Sequence, residues 1–208
     1  MMDYLEQAKK EIRENWFANH MIKSNEGNEG FQRISWGKEG TRMYQVDYVL
    51  SGNMVFITGD LGDAAYSLTC RATLKNIEDF NLSYFTGKLS AHQRDRWDFD
   101  DKLAREQIKS YFLDWCDVDS VAEMDVDDKE LMDELISATK EWGDYKTYEA
   151  MGVWTAYNDT DLDWFDSEMA SCIADCGKRL SYSIISYWVG LQMVIEQLSQ
   201  KNDEIAAN

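Results

Sequence analysis

Residues 43–58 read MYQVDYVLSGNMVFIT, and this stretch decides the fold class. In its first half every second residue is large and apolar, so one face of an extended chain carries four such residues: Tyr44, Val46, Tyr48 and Leu50. Such a period of two predicts a strand with one buried face. Gly52 and Asn53 then predict a turn, and residues 54–58 supply the second strand of a β-hairpin.

The segments on either side of this hairpin extend the pattern. Residues 31–36 and 64–70 are extended in character and predict further strands. Before them, apolar residues recur at helical spacing and predict an N-terminal amphipathic helix that ends ahead of the polar, Gly-containing stretch 24–30: Leu5, Ala8, Ile12, Trp16 and Phe17. The first part of the chain is therefore a helix followed by an antiparallel β-meander.

From about residue 74 the apolar pattern becomes helical. One stripe runs from Phe99 to Trp115 and another from Leu131 to Ile136, while residues 178–200 are apolar around most of a helix. The sequence thus predicts an α+β fold with a helical C-terminal half. We expect residues 1–94 to form the helix and sheet, and residues 95–208 to form an acidic helical part packed with the first as one compact unit.

Charge is distributed very unevenly along the chain. Residues 1–94 hold 12 acidic and 11 basic residues, whereas residues 95–208 hold 27 and 10, a net charge of −17. Within the second part, residues 114–168 hold 18 acidic and 3 basic residues, a net charge of −15. This asymmetry is the most informative feature of the sequence.

Two interpretations of the acidic part stay open. A solvated acidic face keeps a protein soluble, and that is the common case. Alternatively, because duplex DNA carries one negative charge per about 1.7 Å, a folded acidic surface can occupy a basic nucleic-acid-binding groove. Nine carboxylates and two tryptophans are the candidate contacts with such a host protein or ribonucleoprotein: Asp117, Asp119, Glu123, Asp125, Asp127, Asp128, Asp159, Asp161, Asp163, Trp154 and Trp164. The two tryptophans can alternatively be core residues.

Catalytic motifs are not found in the sequence, and no cofactor or metal site is predicted. Asp159, Asp161 and Asp163 match the first ligand positions of an EF-hand loop, but Trp164 stands where the loop needs glycine and Ala170 where it needs glutamate. The alternative function is a metal-dependent enzyme acting on nucleic acid or nucleotide, with carboxylates from residues 95–101 or 159–168. The net charge of −18 predicts that the protein does not bind DNA or RNA directly.

A membrane span is not expected either. The N-terminus is charged within three residues and lacks an apolar stretch, and residues 182–198 are interrupted by polar side chains and fall short of the roughly 20 residues that a span requires. We therefore predict a cytoplasmic protein.

Three stretches carry a resemblance to a known group of proteins: residues 53–66 (NMVFITGDLGDAAY), 82–90 (LSYFTGKLS) and 97–100 (WDFD). The region around them, residues 30–115, resembles uncharacterised proteins of bacteriophages and mobile elements. The resemblance implies a phage protein acting in the host cytoplasm, and such small acidic proteins include inhibitors of host defence, among them anti-CRISPR proteins. A phage accessory protein is the other role that the resemblance allows.

Overall fold

The predicted hairpin forms the centre of a six-stranded antiparallel sheet, in which neighbouring strands follow one another along the chain. The computed structural model describes residues 4–28, 30–141 and 144–206. Its strands are β1 (Met21–Asn28), β2 (Phe31–Gly37), β3 (Val46–Ser51), β4 (Met54–Gly59), β5 (Ala64–Ser67) and β6 (Leu89–His92). The predicted α+β class and antiparallel meander are confirmed.

One face of the sheet is buried, as the alternation in β3 predicts. Tyr48 and Leu50 on β3 lie beside Ile57 and Val55 on β4, and all four are at most 2% exposed. Val49 and Phe56 form the pair between these two pairs and lie on the opposite face of the sheet, where Phe56 is 44% exposed. The period of two therefore separates core from surface within each strand.

Helices cover the buried face of this sheet. They are α1 (Tyr4–Glu11), which continues as a π-helical turn at Ile12–Trp16, α2 (Leu74–Glu78), α3 (Leu82–Gly87) and α9 (Tyr182–Ala206). Two tyrosines join α9 to β3 and to the β4–β5 connection: the Tyr48 hydroxyl of β3 donates to the Tyr187 carbonyl at 3.3 Å, and the Tyr187 hydroxyl donates to the Leu61 carbonyl at 2.9 Å. The expectation that the last helix is a core helix agrees with this placement.

The elements between residues 97 and 180 form a second compact unit. Its strands β7 (Trp97–Phe99) and β8 (Lys178–Leu180) pair antiparallel, and its helices are α4 (Asp101–Trp115), α5 (Val126–Glu141), α6 (Tyr145–Thr147), α7 (Trp154–Asp159) and α8 (Ser167–Ala174). A π-helical turn, Tyr148–Val153, joins α6 to α7. Side chains from four of these segments meet in its core, each fully buried: Ile108, Phe112, Leu135, Tyr148 and Ile173.

The division of the chain differs from the expected boundary after residue 94. Met1–Arg96 and Ser181–Asn208 form one unit, here called the sheet unit, and Trp97–Leu180 form the other, here called the acidic unit. The C-terminal helix α9 thus belongs with the sheet, because its apolar surface covers the buried sheet face. The acidic unit contains 23 acidic and 8 basic residues, so it carries −15 of the total charge of −18.

Candidate functional site

Two acidic segments that are distant in the sequence line one groove on the acidic unit. The first turns of α5 contribute Asp127, and the segment joining α7 to α8 contributes Asp159 and Asp161. The groove has a volume of about 370 Å³. We call it the acidic groove and define it by its lining residues: Asp127, Glu130, Leu131, Glu134, Asp159, Thr160, Asp161 and Leu162.

On helix α5 the carboxylates that line the groove stand beside the face that packs in the core. Leu131 and Leu135 are at most 5% exposed and anchor the helix. Asp127 lies in the first helical turn, where a negative charge interacts favourably with the helix dipole. Glu130 and Glu134 follow at spacings of three and seven residues, which places them on the same side of the helix as Asp127.

The facing wall is an irregular segment with its own internal hydrogen bonds. The Leu162 amide donates to the Thr160 hydroxyl at 3.3 Å, and the Phe165 amide donates to the Leu162 carbonyl at 3.0 Å. Phe165 is 3% exposed and fixes the segment to the core. Asp166 then caps α8 by accepting bonds from two amides of its first turn, at 2.8 and 2.9 Å. Asp159 and Asp161 remain at the surface.

The electrostatic character of the groove is uniformly negative. Its five carboxylates come from Asp127, Glu130, Glu134, Asp159 and Asp161, and all five side chains are exposed. Over residues 4–28, 30–141 and 144–206, none of them forms an ion pair with Lys or Arg. The groove can therefore accept hydrogen bonds from cationic groups, with Leu131 and Leu162 as its apolar part.

Sequence reasoning named three of these five carboxylates and missed Glu130 and Glu134. The helical spacing from Asp127 was the signal that could have identified them. Five other predicted contacts are exposed but do not line the groove: Asp117, Asp119, Glu123, Asp125 and Asp163.

Asp128 and both tryptophans have internal contacts. The Trp164 indole Nε1 donates to Asp128 Oδ1 at 2.9 Å, and the Cys116 thiol Sγ donates to Asp128 Oδ2 at 3.5 Å. Burial, together with the neighbouring Asp128 carboxylate, raises the pKa of the Cys116 thiol to about 11. Trp154 is half-buried and meets the Tyr157 ring edge-on at 5.7 Å. Both tryptophans are half-buried and pack against the core of the acidic unit.

Two of the carboxylates considered for a metal-dependent enzyme, Asp100 and Asp101, have structural partners, whereas Asp159 and Asp161 line the acidic groove. Asp100 caps α4 by accepting a bond from the Leu103 amide at 2.8 Å, and it also pairs with Arg179 at 2.6 Å. Asp101 pairs with Arg105 at 2.9 Å. Within the part of the chain that the structure describes, no group of three or more His, Cys, Asp or Glu side chains is arranged to hold a metal ion.

Comparison with protein-family models, with curated protein sequences and with solved structures gave no match, so no family is assigned to the chain. The resemblance to phage and mobile-element proteins stays a prediction. Among the described residues, no helix combines the length and the apolar character that crossing a membrane requires.

Proposed function

We propose that the acidic unit binds a basic, nucleic-acid-binding surface of another protein or ribonucleoprotein through the acidic groove. The observation that carries the proposal is the convergence of Asp127, Glu130 and Glu134 on one wall with Asp159 and Asp161 on the other. Like charges repel, and apart from the interaction of Asp127 with the dipole of α5 the fold gains no stability from collecting these five carboxylates, which form no ion pair among the described residues. A cationic partner would relieve that repulsion.

The chemistry of the groove suits the side chains that contact phosphate in nucleic-acid-binding proteins. Lysine and arginine have long apolar stems that can lie on the half-buried Leu162 while their charged ends reach the carboxylates. Arginine guanidinium can also pair with a carboxylate through two parallel hydrogen bonds. Because the acidic unit has a net charge of −15, long-range attraction would also speed the encounter with a basic surface.

The biological role that we attach to this binding is inhibition of a host defence system, such as a CRISPR effector, by a phage-type protein. The resemblance of residues 53–66, 82–90 and 97–100 to phage proteins suggests the setting, and the charge suggests the mode of action. Occupying a basic channel would exclude the nucleic acid that the channel binds.

The first experiment measures binding of a 20-residue peptide of alternating Lys and Ala by calorimetry at several salt concentrations. Neutralising the groove, with Asp changed to Asn and Glu to Gln at all five carboxylates, should weaken binding at least about fivefold and flatten its salt dependence. The control neutralises five exposed carboxylates of the sheet unit in the same way: Glu14, Glu26, Glu39, Glu78 and Asp79. Equal weakening by both sets would show that only net charge matters and would refute the proposal.

The second experiment tests the role. The wild-type protein should prevent a CRISPR effector ribonucleoprotein from binding its target duplex in a gel shift, and the groove variant should not. The protein alone should leave a plain duplex unshifted, because a net charge of −18 repels the phosphate backbone. Micromolar binding of the protein itself to duplex DNA would contradict the mimicry.

A further inference from the structure

The carboxylate of Asp128 joins three segments of the acidic unit at one point. Asp128 lies in the first turn of α5, Cys116 follows the last residue of α4, and Trp164 lies between α7 and α8. One oxygen of the carboxylate accepts from Trp164 Nε1 at 2.9 Å and the other accepts from Cys116 Sγ at 3.5 Å.

The donor side of this contact is held in place by aromatic packing. The Trp164 ring meets the fully buried Phe112 ring edge-on, with centroids 5.8 Å apart, and it also contacts Trp115 and Phe165 at 6.2 and 5.8 Å. Edge-to-face pairs at such distances are favourable and restrict the ring orientation. The indole N–H is therefore aimed at Asp128 by the core itself.

The position of this contact relates it to the acidic groove. Asp128 directly follows Asp127 of one wall, and Trp164 stands three residues after Asp161 of the other. The bond between Asp128 and Trp164 thus ties the two walls together next to the carboxylates that face each other. Repulsion between the walls acts to separate them, and the bond opposes that separation.

We propose that Asp128 and Trp164 are positioning residues that hold the two walls of the acidic groove at their spacing, and that neither contacts the partner. The binding part of this inference rests on the proposed function, whereas the structural part does not. A groove whose walls are fixed in advance loses less freedom when it binds, so the positioning raises affinity without adding a contact.

Four variants separate positioning from charge. Trp164→Phe keeps a ring in the aromatic cluster and removes the N–H donor, and its matched control is Trp154→Phe. Trp154 packs half-buried against the same core, and within the described part of the chain its Nε1 has no hydrogen-bond partner. Asp128→Asn removes the charge but keeps an oxygen that can accept from Trp164, whereas Asp128→Ala removes the acceptor altogether.

The first measurement is amide hydrogen exchange of the wild type and the four variants without any partner. The amides of Thr160, Leu162, Phe165 and Asp166 all donate hydrogen bonds in the segment that carries Trp164. We expect their exchange to become about tenfold faster in Trp164→Phe and Asp128→Ala, and to change less than about twofold in Asp128→Asn and Trp154→Phe. Unchanged exchange in Trp164→Phe, or equal effects of the two Asp128 variants, would overturn the positioning role.

The second measurement is affinity for the lysine and alanine peptide. Trp164→Phe and Asp128→Ala should weaken it about three- to tenfold, while Asp128→Asn should weaken it no more than Asp119→Asn, which removes one exposed charge outside the groove. If Asp128→Asn is as damaging as Asp128→Ala, Asp128 is a direct charge contact and the inference fails. If the wild type does not bind the peptide, the proposed function fails, and the exchange measurement still decides whether Asp128 and Trp164 hold the walls.

Discussion

Changing Gly190 to alanine should destabilise the sheet unit more than its small size suggests. Gly190 lies on α9 where this helix crosses the sheet, and a Cβ added there would overlap the Tyr48 hydroxyl oxygen. It would also come within 3.0 Å of Trp36 Cζ3 and 3.2 Å of Phe17 Cε2. All three neighbours are fully buried, so none can swing into solvent.

The magnitude follows from three contributions. Overpacking of a core costs about 1–3 kcal/mol. Displacing the Tyr48 hydroxyl breaks its bond to the Tyr187 carbonyl and leaves a buried polar group unpaired, at about 1–3 kcal/mol. The better helix propensity of alanine returns about 1 kcal/mol. We expect a net loss of about 3 kcal/mol in the free energy of unfolding, measured by urea unfolding.

Two further variants test whether the loss of stability comes from the contact between Gly190 and Tyr48. Gly87 ends α3 with no atom within 4 Å of an added Cβ, so Gly87→Ala should change stability by less than about 1 kcal/mol. Tyr48→Phe removes the overlapped oxygen, so Gly190→Ala should cost at least about 1 kcal/mol less in that background. Full stability of Gly190→Ala, or the absence of this coupling, would refute the close approach of α9 to the sheet.

Three other changes test separate parts of the structure. The buried Tyr66 hydroxyl has no hydrogen-bond partner in the described residues, so Tyr66→Phe should leave the free energy of unfolding unchanged or raise it. The Tyr187 hydroxyl donates a hydrogen bond, so Tyr187→Phe should lower the free energy of unfolding by about 1 kcal/mol. Asp166→Ala should lower the stability of the acidic unit by about 1 kcal/mol through loss of a helix cap. Burial lowers the pKa of His20 and His92, so the fold favours their neutral forms. The free energy of unfolding should therefore be highest above about pH 6.5 and should decrease below it. This decrease should be smaller in a variant in which both histidines are changed to Gln.

The central hairpin was predictable because its signals are local. Alternation in β3, the turn at Gly52 and the apolar run of β4 are all contained in 16 consecutive residues, 43–58. Strand β1 was missed, since it is an edge strand whose residues from Asn25 onward are exposed on both faces and so show no alternation. Strands β7 and β8 have three residues each and pair across a separation that no local pattern reveals.

The candidate site was predictable in composition but not in geometry. Charge counting locates the acidic unit, and helical spacing from Asp127 could have added the two glutamates of α5. Asp159 and Asp161 lie opposite these glutamates because of the tertiary packing of the acidic unit, which no local pattern in the sequence reveals. Trp164, in an acidic stretch, has the pattern of an exposed anchor, yet its indole is bonded to Asp128 inside the unit.

The acidic residues of the acidic unit fall into two groups, those that serve local structure and those that do not. Several carboxylates serve helix starts: Asp100 caps α4, Asp166 caps α8, and Asp144 accepts from the amide and hydroxyl of Thr147. Local structure accounts for such residues without any partner. Glu130 and Glu134 lie beyond the first turn of α5, and Asp159 and Asp161 lie at or after the end of α7, where the helix dipole disfavours negative charge. Among the described residues, none of these four carboxylates forms an ion pair or a capping hydrogen bond, so neutralising them alone should leave stability unchanged or raise it while weakening peptide binding. Loss of stability on their neutralisation would mean that the groove is structural.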